Sequence, residues 1–574
     1  MTDDDHIQAA DYVNERLPAA AMAAAERHLV GCRQCRTKVE ELRRQSAGDE
    51  AGGILRTLRR FGRGLLRGEL ALFAPLLSRL PLAPRSQPTE EARPEPLRVL
   101  TPRVLGGMRG LFGFVGRFGL VLLLTFGVLL LPTPPELPAA GHRALAAFVF
   151  TAGILALEPV SLPIAALMVP VALVALGTAD TPQAFETYSR PVVFLILASL
   201  FLAEALRKHG LTRRLALTTI VASGGGVGPL LLGLMGISAF FSMWVGNTAT
   251  TAMLIPMVLT IAKQVPDKEA ARSLLVLLGL GLAYSASLGG MVTIMGAPAN
   301  AVASGFLAEI GDWTFLDWMA YGLPAFVLIF PLTWWLLLKV MPVGVRRLDV
   351  APAREQLREM GPMSRTEKEI LLLLAAAAGL WVGGPLIEEA LGLPPTLFSA
   401  AMVAVIAVSF LAVREIINWE DLKGVSWGIF LIIGAGLSLG EALSRTGVTE
   451  WLASLVGPLL GGFDLFFTLL LLVLISGLLT NLLNNTTIAA VFVPVLIAMA
   501  LENPDFNPVQ LVLPVTLATT FGYSLPSASG RMALLAATGI VGRWEMMRYG
   551  LLMTGVSSLV LALLFYALSL LGWV

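Results

Sequence analysis

The sequence predicts an all-α polytopic membrane protein, whose membrane part is a duplicated unit, preceded by a small polar helical domain. Three observations support this fold class. The 574 residues have a mean hydropathy of +0.76, and 14% of them are charged, well below the roughly 25% of a soluble domain. Apolar segments of spanning length recur from residue 118 to residue 572. Several segments are short and interrupted by Gly, Pro, Asn and Thr, and one interrupted pattern occurs twice.

Composition divides the chain into a polar segment at residues 1–45, a basic linker at 46–112, and a membrane body. We place the two membrane repeats at 113–350 and 351–574. No apolar signal segment precedes residue 115, and arginines cluster just before the first span. The positive-inside rule therefore predicts a cytoplasmic N-terminus in a multi-pass protein of the bacterial cytoplasmic membrane.

The polar segment contains a candidate zinc site. Cys32 and Cys35 are the two cysteines of the chain, His28 precedes them in an HxxxCxxC pattern, and His6 lies further upstream. Two histidines and two cysteines make the closed tetrahedral ligand set of structural zinc. A redox CxxC pair and a segment without metal are the alternatives.

The linker contains a basic amphipathic stretch at residues 54–80, where arginines alternate with leucines and phenylalanines and Glu69 is the acid. A helix of this composition lies flat on an anionic membrane, so lipid is an expected partner. The alternative is a helix packed on protein. Residues 81–97 are rich in proline and polar residues, which predicts a loose tether.

The strongest signal in the membrane body is an internal repeat. An Asn-Thr pair occurs in two apolar segments, with a hydroxyl residue before each pair and a proline after it. The matching positions, each pair 238 residues apart, are Ser242 and Thr480, Gly246 and Asn484, Asn247 and Asn485, Thr248 and Thr486, and Pro256 and Pro494. Paired interrupted segments in a membrane chain indicate a transporter site between two repeats.

Asparagine and threonine have a chemical use in such a place. Their oxygens and unwound backbone coordinate a cation, and the positive ends of half helices hold a carboxylate. The alternative is that these residues join helices by hydrogen bonds. The duplication of the whole pattern favours the binding role.

Four segments resemble one known family. The segments at 148–171, 242–256, 281–300 and 418–443 are similar to the divalent anion/sodium symporter family of di- and tricarboxylate transporters, and the likeness runs from about residue 113 to the C-terminus. The resemblance implies two inverted repeats with re-entrant hairpins and broken helices. It also implies secondary transport of small carboxylate anions by an elevator movement, usually in a homodimer. In that family a Ser-Asn-Thr motif at each hairpin tip binds substrate, and each tip forms a sodium site with a nearby unwound loop.

Carried onto this chain, the resemblance implies a set of binding residues. The substrate contacts are Gly246, Asn247, Thr248, Asn484, Asn485, Thr486, Ser529, Gly530 and Arg531. The sodium ligands are Ser242, Asn247 and Asn300 at the first site and Thr480 and Asn485 at the second. Sodium at the first site and zinc in the polar segment are the implied metals.

The chain departs from the family pattern in the second loop. There Gly530-Arg531-Met532 stands where the family has Pro-Pro-Asn, and both tip motifs lack their serine. Arg531 brings a fixed charge that either replaces sodium or binds a substrate carboxylate bidentately. A side chain that extends to the membrane surface or pairs with a loop acid is the alternative. We expect weak or no sodium dependence at the second site and exchange of anions as the favoured mode.

Residues 3–44 resemble the zinc-binding domain of anti-sigma factors, which implies a cytoplasmic module that binds a sigma factor or another cytoplasmic protein. Two functions are therefore open. The first is an anion transporter with a regulatory zinc module, and the second is a membrane-anchored, anti-sigma-like regulator that senses an anion through a transporter-like body. The sequence has no ATP-binding loop or other enzyme signature. We therefore expect neither an enzyme nor a nucleic-acid partner.

Overall fold

The computed structural model describes residues 102–345, 347–460, 462–503 and 506–573. Every named element in this part of the chain is a helix. A bilayer offers no water to satisfy backbone N–H and C=O groups, and a helix satisfies them within one segment. The predicted zinc ligands and the amphipathic stretch at 54–80 lie outside the described residues, so both stay predictions.

Six helices of the described chain precede the segment that holds the first Asn-Thr pair. They are α1 (Pro102–Leu130), α2 (Ala139–Leu157), α3 (Leu162–Ala175), α4 (Thr181–Glu186), α5 (Pro191–Lys208) and α6 (Leu211–Ala222). Helix α1 begins at Pro102, before the boundary that charge alone placed at residue 113. Arginine has a high helix propensity, so a basic stretch does not end a helix, and proline is favoured at a first helical position.

The next elements form a helical hairpin and a broken helix. Hairpin 1 consists of α7 (Val227–Val245) and α8 (Asn247–Ala262), and the broken helix consists of α9 (Lys268–Gly290), a 3₁₀ turn (Ile294–Gly296) and α10 (Pro298–Ile310). Gly246 joins the two hairpin helices with a φ of 81°, a backbone conformation that favours glycine. Helix α11 (Phe315–Val340) follows the broken helix.

The second half of the chain has the same order of elements. Six helices come first: α12 (Ala351–Glu359), α13 (Arg365–Leu391), α14 (Ala400–Val413), α15 (Trp419–Lys423), α16 (Gly428–Arg445) and α17 (Val448–Leu460). Hairpin 2 consists of α18 (Leu465–Leu479) and α19 (Asn485–Glu502). The second broken helix consists of α20 (Pro508–Ala518), 3₁₀ turns at Thr519–Phe521 and Pro526–Ala528, and α21 (Gly530–Ala537). Helix α22 (Arg543–Leu570) follows. Both helices of hairpin 2 start 238 residues after their counterparts in hairpin 1.

Helix length and burial distinguish the centre of the molecule from its periphery. Among the described residues, seven helices are long and apolar enough to cross a membrane. The number of spans rises to eight if the bent pair Thr181–Ser189 and Pro191–Lys208 counts as one span. Helix α9 is 89% buried, whereas α11 and α13 are each 22% buried. Lipid is as apolar as these side chains, so a peripheral helix keeps them on its outer face. The broken helix α9–α10 therefore has its first half at the centre of the fold.

Candidate functional site

Both hairpin tips and both broken helices open onto one cavity of about 520 Å³. All nine residues predicted to contact substrate line it: Gly246, Asn247, Thr248, Asn484, Asn485, Thr486, Ser529, Gly530 and Arg531. Three of the predicted sodium ligands, Ser242, Asn300 and Thr480, are buried and lie outside the lining of the cavity. The fold thus brings the predicted substrate residues together, and their role in binding stays a prediction.

Four helices begin at the wall of this cavity. Their first residues, Asn247 of α8, Asn485 of α19, Pro298 of α10 and Gly530 of α21, all line it. The N–H groups of a first helical turn have no acceptor within the helix, and the helix dipole places partial positive charge there. The arrangement can hold an anion that presents several oxygen atoms.

Oxygen atoms converge on the amide of Asn247 behind the first tip. One end of this amide lies 2.6 Å from Ser242 Oγ, 3.0 Å from the Ala286 carbonyl oxygen and 3.1 Å from the Gly296 carbonyl oxygen. With its nitrogen at this end, the amide donates to both carbonyls; with its oxygen there, it accepts from the Ser242 hydroxyl. Carbonyl, amide and hydroxyl oxygens are the atoms that coordinate sodium where membrane helices are broken. We call these four residues the first oxygen cluster.

Asn300 holds the unwound loop of the first broken helix. Its Nδ2 donates to the carbonyl oxygens of Gly290 and Thr293, each at 2.8 Å. Its Oδ1 is buried without a partner among the described residues. Gly290 also touches the hairpin tip, because a Cβ at this position would lie 2.1 Å from Asn247 Oδ1. The loop and the tip are therefore packed directly on each other.

The second tip has a corresponding set of contacts. Thr480 Oγ1 donates to the Thr519 carbonyl oxygen at 2.8 Å and lies within hydrogen-bond distance of Asn485 Oδ1. Asn484 caps α19, because its Oδ1 accepts from the backbone N–H of Thr486 at 2.9 Å. The cap satisfies one of the free N–H groups at this helix start. In the first tip Gly246 stands in this place and its lack of a side chain leaves the N–H groups free.

A second pair of hydrogen bonds sets the correspondence between the repeats. Ser238 Oγ of α7 donates to the Leu282 carbonyl oxygen at 2.9 Å, and Ser476 Oγ of α18 donates to the Val515 carbonyl oxygen at 2.8 Å. Four residues after each acceptor come the carbonyls that Asn247 and Thr480 contact. The two tips therefore meet equivalent positions of the two broken helices, at the last turns of α9 and at the 3₁₀ turn that follows α20.

Arg531 is a fully buried guanidinium at the second position of α21, with 1% of its surface exposed. Its Nη2 donates to the carbonyl oxygens of Thr520 at 2.9 Å and Gly522 at 3.1 Å, while Nε is buried and has no partner in the part of the chain that the structure describes. Within the described ranges no carboxylate oxygen lies within 4.0 Å of it. The alternative of a side chain at the membrane surface, or one paired with a loop acid, is therefore wrong.

The cavity wall also contains an ion pair that sequence reasoning left out of the site. Glu204 and Arg207 line the cavity, and Arg207 Nε donates to Glu204 Oε2 at 2.8 Å. Their spacing of three residues on α5 is the local signal for such a pair. The pair is neutral, so Arg531 leaves the charged side chains of the cavity lining with a net charge of +1.

The two repeats contact each other at the wall of the cavity. A Cβ at Gly530 would lie 2.7 Å from Thr248 Oγ1, so the first tip touches the start of α21. The buried rings of Tyr284 and Tyr523, one from each broken helix, have centroids 4.6 Å apart. Residues of both repeats therefore form the wall of the one cavity.

The family can be assigned from sequence comparison. The family described as the sodium:sulfate symporter transmembrane region matches residues 115–574. The chain belongs to this family. Within the sodium:sulfate symporter family, an uncharacterized transporter of Haemophilus influenzae is 31% identical over 448 residues, covering 77% of this chain and 95% of that protein. The sodium-dependent dicarboxylate transporter SdcS of Staphylococcus aureus is 27% identical over 481 residues, covering 78% of this chain and 90% of that protein.

A solved structure shares the fold. MtrF of Neisseria gonorrhoeae, described as illuminating a class of antimetabolite efflux pumps, superposes with a TM-score of 0.50 at 12% identity, over 82% of this chain and 95% of that chain. The family and this likeness confirm the predicted polytopic, all-helical transporter fold in the membrane body. Sodium:sulfate symporters are transporters, which fits the expectation that the chain is not an enzyme.

The structure gives no test of the zinc site. Across the described ranges, no group of three or more His, Cys, Asp or Glu side chains is arranged to hold a metal ion. The four candidate ligands His6, His28, Cys32 and Cys35 lie outside those ranges.

Proposed function

We propose that this sodium:sulfate symporter family member is a secondary transporter of dicarboxylate- or tricarboxylate-like anions. The observation that carries the proposal is the convergence of four helix N-termini on one cavity with a net charge of +1. Each tip offers one cluster of free N–H groups and amides to one carboxylate. Two such tips in the lining of one cavity fit an anion with two carboxylates. The relationship to a sodium-dependent dicarboxylate transporter supports this substrate class.

The proposed movement is an elevator, in which the hairpins and the broken helices carry the cavity across the membrane against the other helices. The contacts of Thr248 with Gly530, and of Asn247 with Gly290, support it because they tie these elements into one body. A scaffold built on inverted repeats and a homodimer are part of the same proposal. The lipid-exposed faces of α11 and α13 offer surface for a second copy.

The proposed ion use is asymmetric. The first oxygen cluster is the candidate sodium site, because its hydroxyl, amide and carbonyl oxygens suit a hard monovalent cation. Exchange of an internal for an external anion is the proposed mode. For residues 1–45 we keep the proposal of a cytoplasmic zinc module that binds a sigma factor or another cytoplasmic protein.

A counterflow assay tests the function. Proteoliposomes preloaded with unlabelled succinate should transiently accumulate labelled succinate, and citrate, sulfate and an amino acid loaded instead show which anions exchange. The expected result is exchange among carboxylates and little with the amino acid. Exchange with sulfate only would overturn the carboxylate class. Succinate binding without any flux, together with co-purification of a sigma factor, would favour the regulator over the transporter.

A further inference from the structure

We propose that Arg531 is a built-in cation that supplies, in the second repeat, the positive charge of a second sodium ion. The cavity then takes one free cation at most, at the first oxygen cluster. This inference deepens the proposed function and rests on it.

The loops of the two broken helices correspond residue by residue. Each loop has a 3₁₀ turn, then one residue with extended backbone, then a new helix. The extended residues are Ala297 and Ser529, with φ values of −146° and −167°. Arg531 is therefore the counterpart of Ala299, and Met532 is the counterpart of Asn300. The same offset of 232 residues relates Gly522 to Gly290. It is one residue less than the offset of 233 between the tip contacts at Ala286 and Thr519, and the second loop has an additional 3₁₀ turn at Thr519–Phe521.

The polar side chain of each loop binds the same turn. In the first repeat the neutral amide of Asn300 donates to the Gly290 carbonyl oxygen. In the second repeat Met532 has no donor, and the Arg531 guanidinium donates to the Gly522 carbonyl oxygen instead. The turn that a neutral group holds in one repeat is held by a full positive charge in the other.

The position of this charge relative to the second tip is fixed by two adjacent carbonyls. Thr480 of the tip donates to the Thr519 carbonyl oxygen, and Arg531 donates to the carbonyl oxygen of Thr520. The guanidinium therefore lies beside the second tip, where the first repeat has its oxygen cluster. Like charges repel strongly at such short range in a poorly screened interior. Sodium is excluded from this side of the cavity.

The contacts also decide between the two roles that the sequence allowed. Nη2 carries two protons, and both have acceptors in the carbonyls of Thr520 and Gly522. A bidentate fork with a substrate carboxylate uses one Nη2 proton together with a proton from Nη1 or from Nε, so it would break one of these bonds. Arg531 attracts the anion as a fixed charge and holds the loop through its two hydrogen bonds. It does not bind one carboxylate bidentately.

A loop exchange tests the inference on the full-length protein. The double substitution Arg531→Ala with Met532→Asn gives the second loop the side chains of the first, Ala299 and Asn300. Binding of radioactive sodium to purified protein should give about one ion per chain in the wild type and about two in the double variant. Succinate affinity should depend weakly on sodium in the wild type. In the double variant it should depend steeply on sodium and fall by about tenfold or more at low sodium.

Matched variants separate charge from structure. Arg531→Lys keeps a positive charge, so its succinate affinity should still depend weakly on sodium. Arg531→Ala should lose succinate affinity and should regain part of it when free guanidinium ion is added. Arg272→Ala removes an exposed arginine outside the cavity and should leave both readouts unchanged. Two sodium ions per wild-type chain, or wild-type sodium dependence in Arg531→Ala, would overturn the inference. If the double variant does not fold, the number of sodium ions bound by the wild type and the sodium dependence of Arg531→Lys still test the inference. A wild type that binds one sodium ion but no carboxylate would contradict the proposed function instead.

Discussion

Asn247 and Asn485 begin the two tip helices. The Asn247 amide contacts the first broken helix directly, whereas the Asn485 amide hydrogen-bonds to Thr480, which donates to the second broken helix. Replacement of either by alanine removes part-buried hydrogen bonds and leaves their partners unsatisfied, at up to roughly 1–3 kcal/mol for each neutral bond. We expect Asn247→Ala and Asn485→Ala each to weaken succinate binding by about tenfold or more without blocking membrane insertion, as measured by calorimetry on purified protein.

The control for these two variants is Asn507→Ala, which removes an asparagine cap from α20 outside the cavity. Loss of a cap lowers stability by about 0.5–2 kcal/mol but should leave binding intact. Wild-type binding and transport by either tip variant would mean that the site lies elsewhere.

Gly290 leaves space for the tip asparagine. In Gly290→Ala the new Cβ would lie 2.1 Å from Asn247 Oδ1 and would displace the amide from the first oxygen cluster. Overpacking of this kind costs about 1–3 kcal/mol, so sodium binding should fall by about fivefold or more. The matched variant Gly236→Ala adds a Cβ on α7 with nothing within 4 Å and should bind sodium normally. Equal sodium binding by both variants would contradict the contact.

At the scale of helices, much of the arrangement could be read from local sequence. The constant offset of the Asn-Thr pairs predicted two interrupted apolar segments, because polar residues within apolar segments leave a local signature. The family resemblance implied that each segment is a hairpin. The short helices α12 and α15 were missed, since they are polar and give no spanning signal. The contact of Thr248 with Gly530 joins distant parts of the chain, and no local pattern encodes it. The role of Arg531 was left open because it depends on which carbonyls the folded loop presents.

Helix α6 is tied to the start of α13 by a buried ion pair. Arg214 Nε donates to Glu367 Oε1 at 2.7 Å, and the two side chains are 10% and 4% exposed. Removal of one partner leaves a buried charge uncompensated, which typically costs about 3–5 kcal/mol. We expect Arg214→Ala to lower the thermal midpoint in detergent markedly.

Arg365 lies two residues before Glu367 and supplies the comparison for this pair. It is 86% exposed in an ion pair with Glu369, and such surface pairs contribute about 1 kcal/mol or less. Arg365→Ala should therefore leave the thermal midpoint nearly unchanged. A similar fall in the thermal midpoint of both arginine variants would show that the buried Arg214 pair stabilises the protein no more than the exposed Arg365 pair.

At the scale of the whole molecule, the chain is predicted to join a metal-dependent module to a membrane body that folds without it. Purified protein should contain about one zinc ion per chain, because a closed His/Cys site binds metal as it folds. Replacing Cys32 and Cys35 by serine should remove the zinc while succinate binding and the thermal midpoint of the membrane body are retained. Elemental analysis measures the first effect. Metal-free protein from a zinc-replete preparation would contradict the zinc site.

We predict that the buried guanidinium of Arg531 makes the proposed transport sensitive to voltage. In the proposed elevator it travels with the cavity, so a loaded carrier with one sodium ion and a divalent anion moves no net charge. The empty carrier moves a positive charge, and the membrane potential changes that step by about 2.3 kcal/mol per charge for each 100 mV. A negative interior should therefore slow the outward return of empty carriers and leave one-for-one exchange untouched.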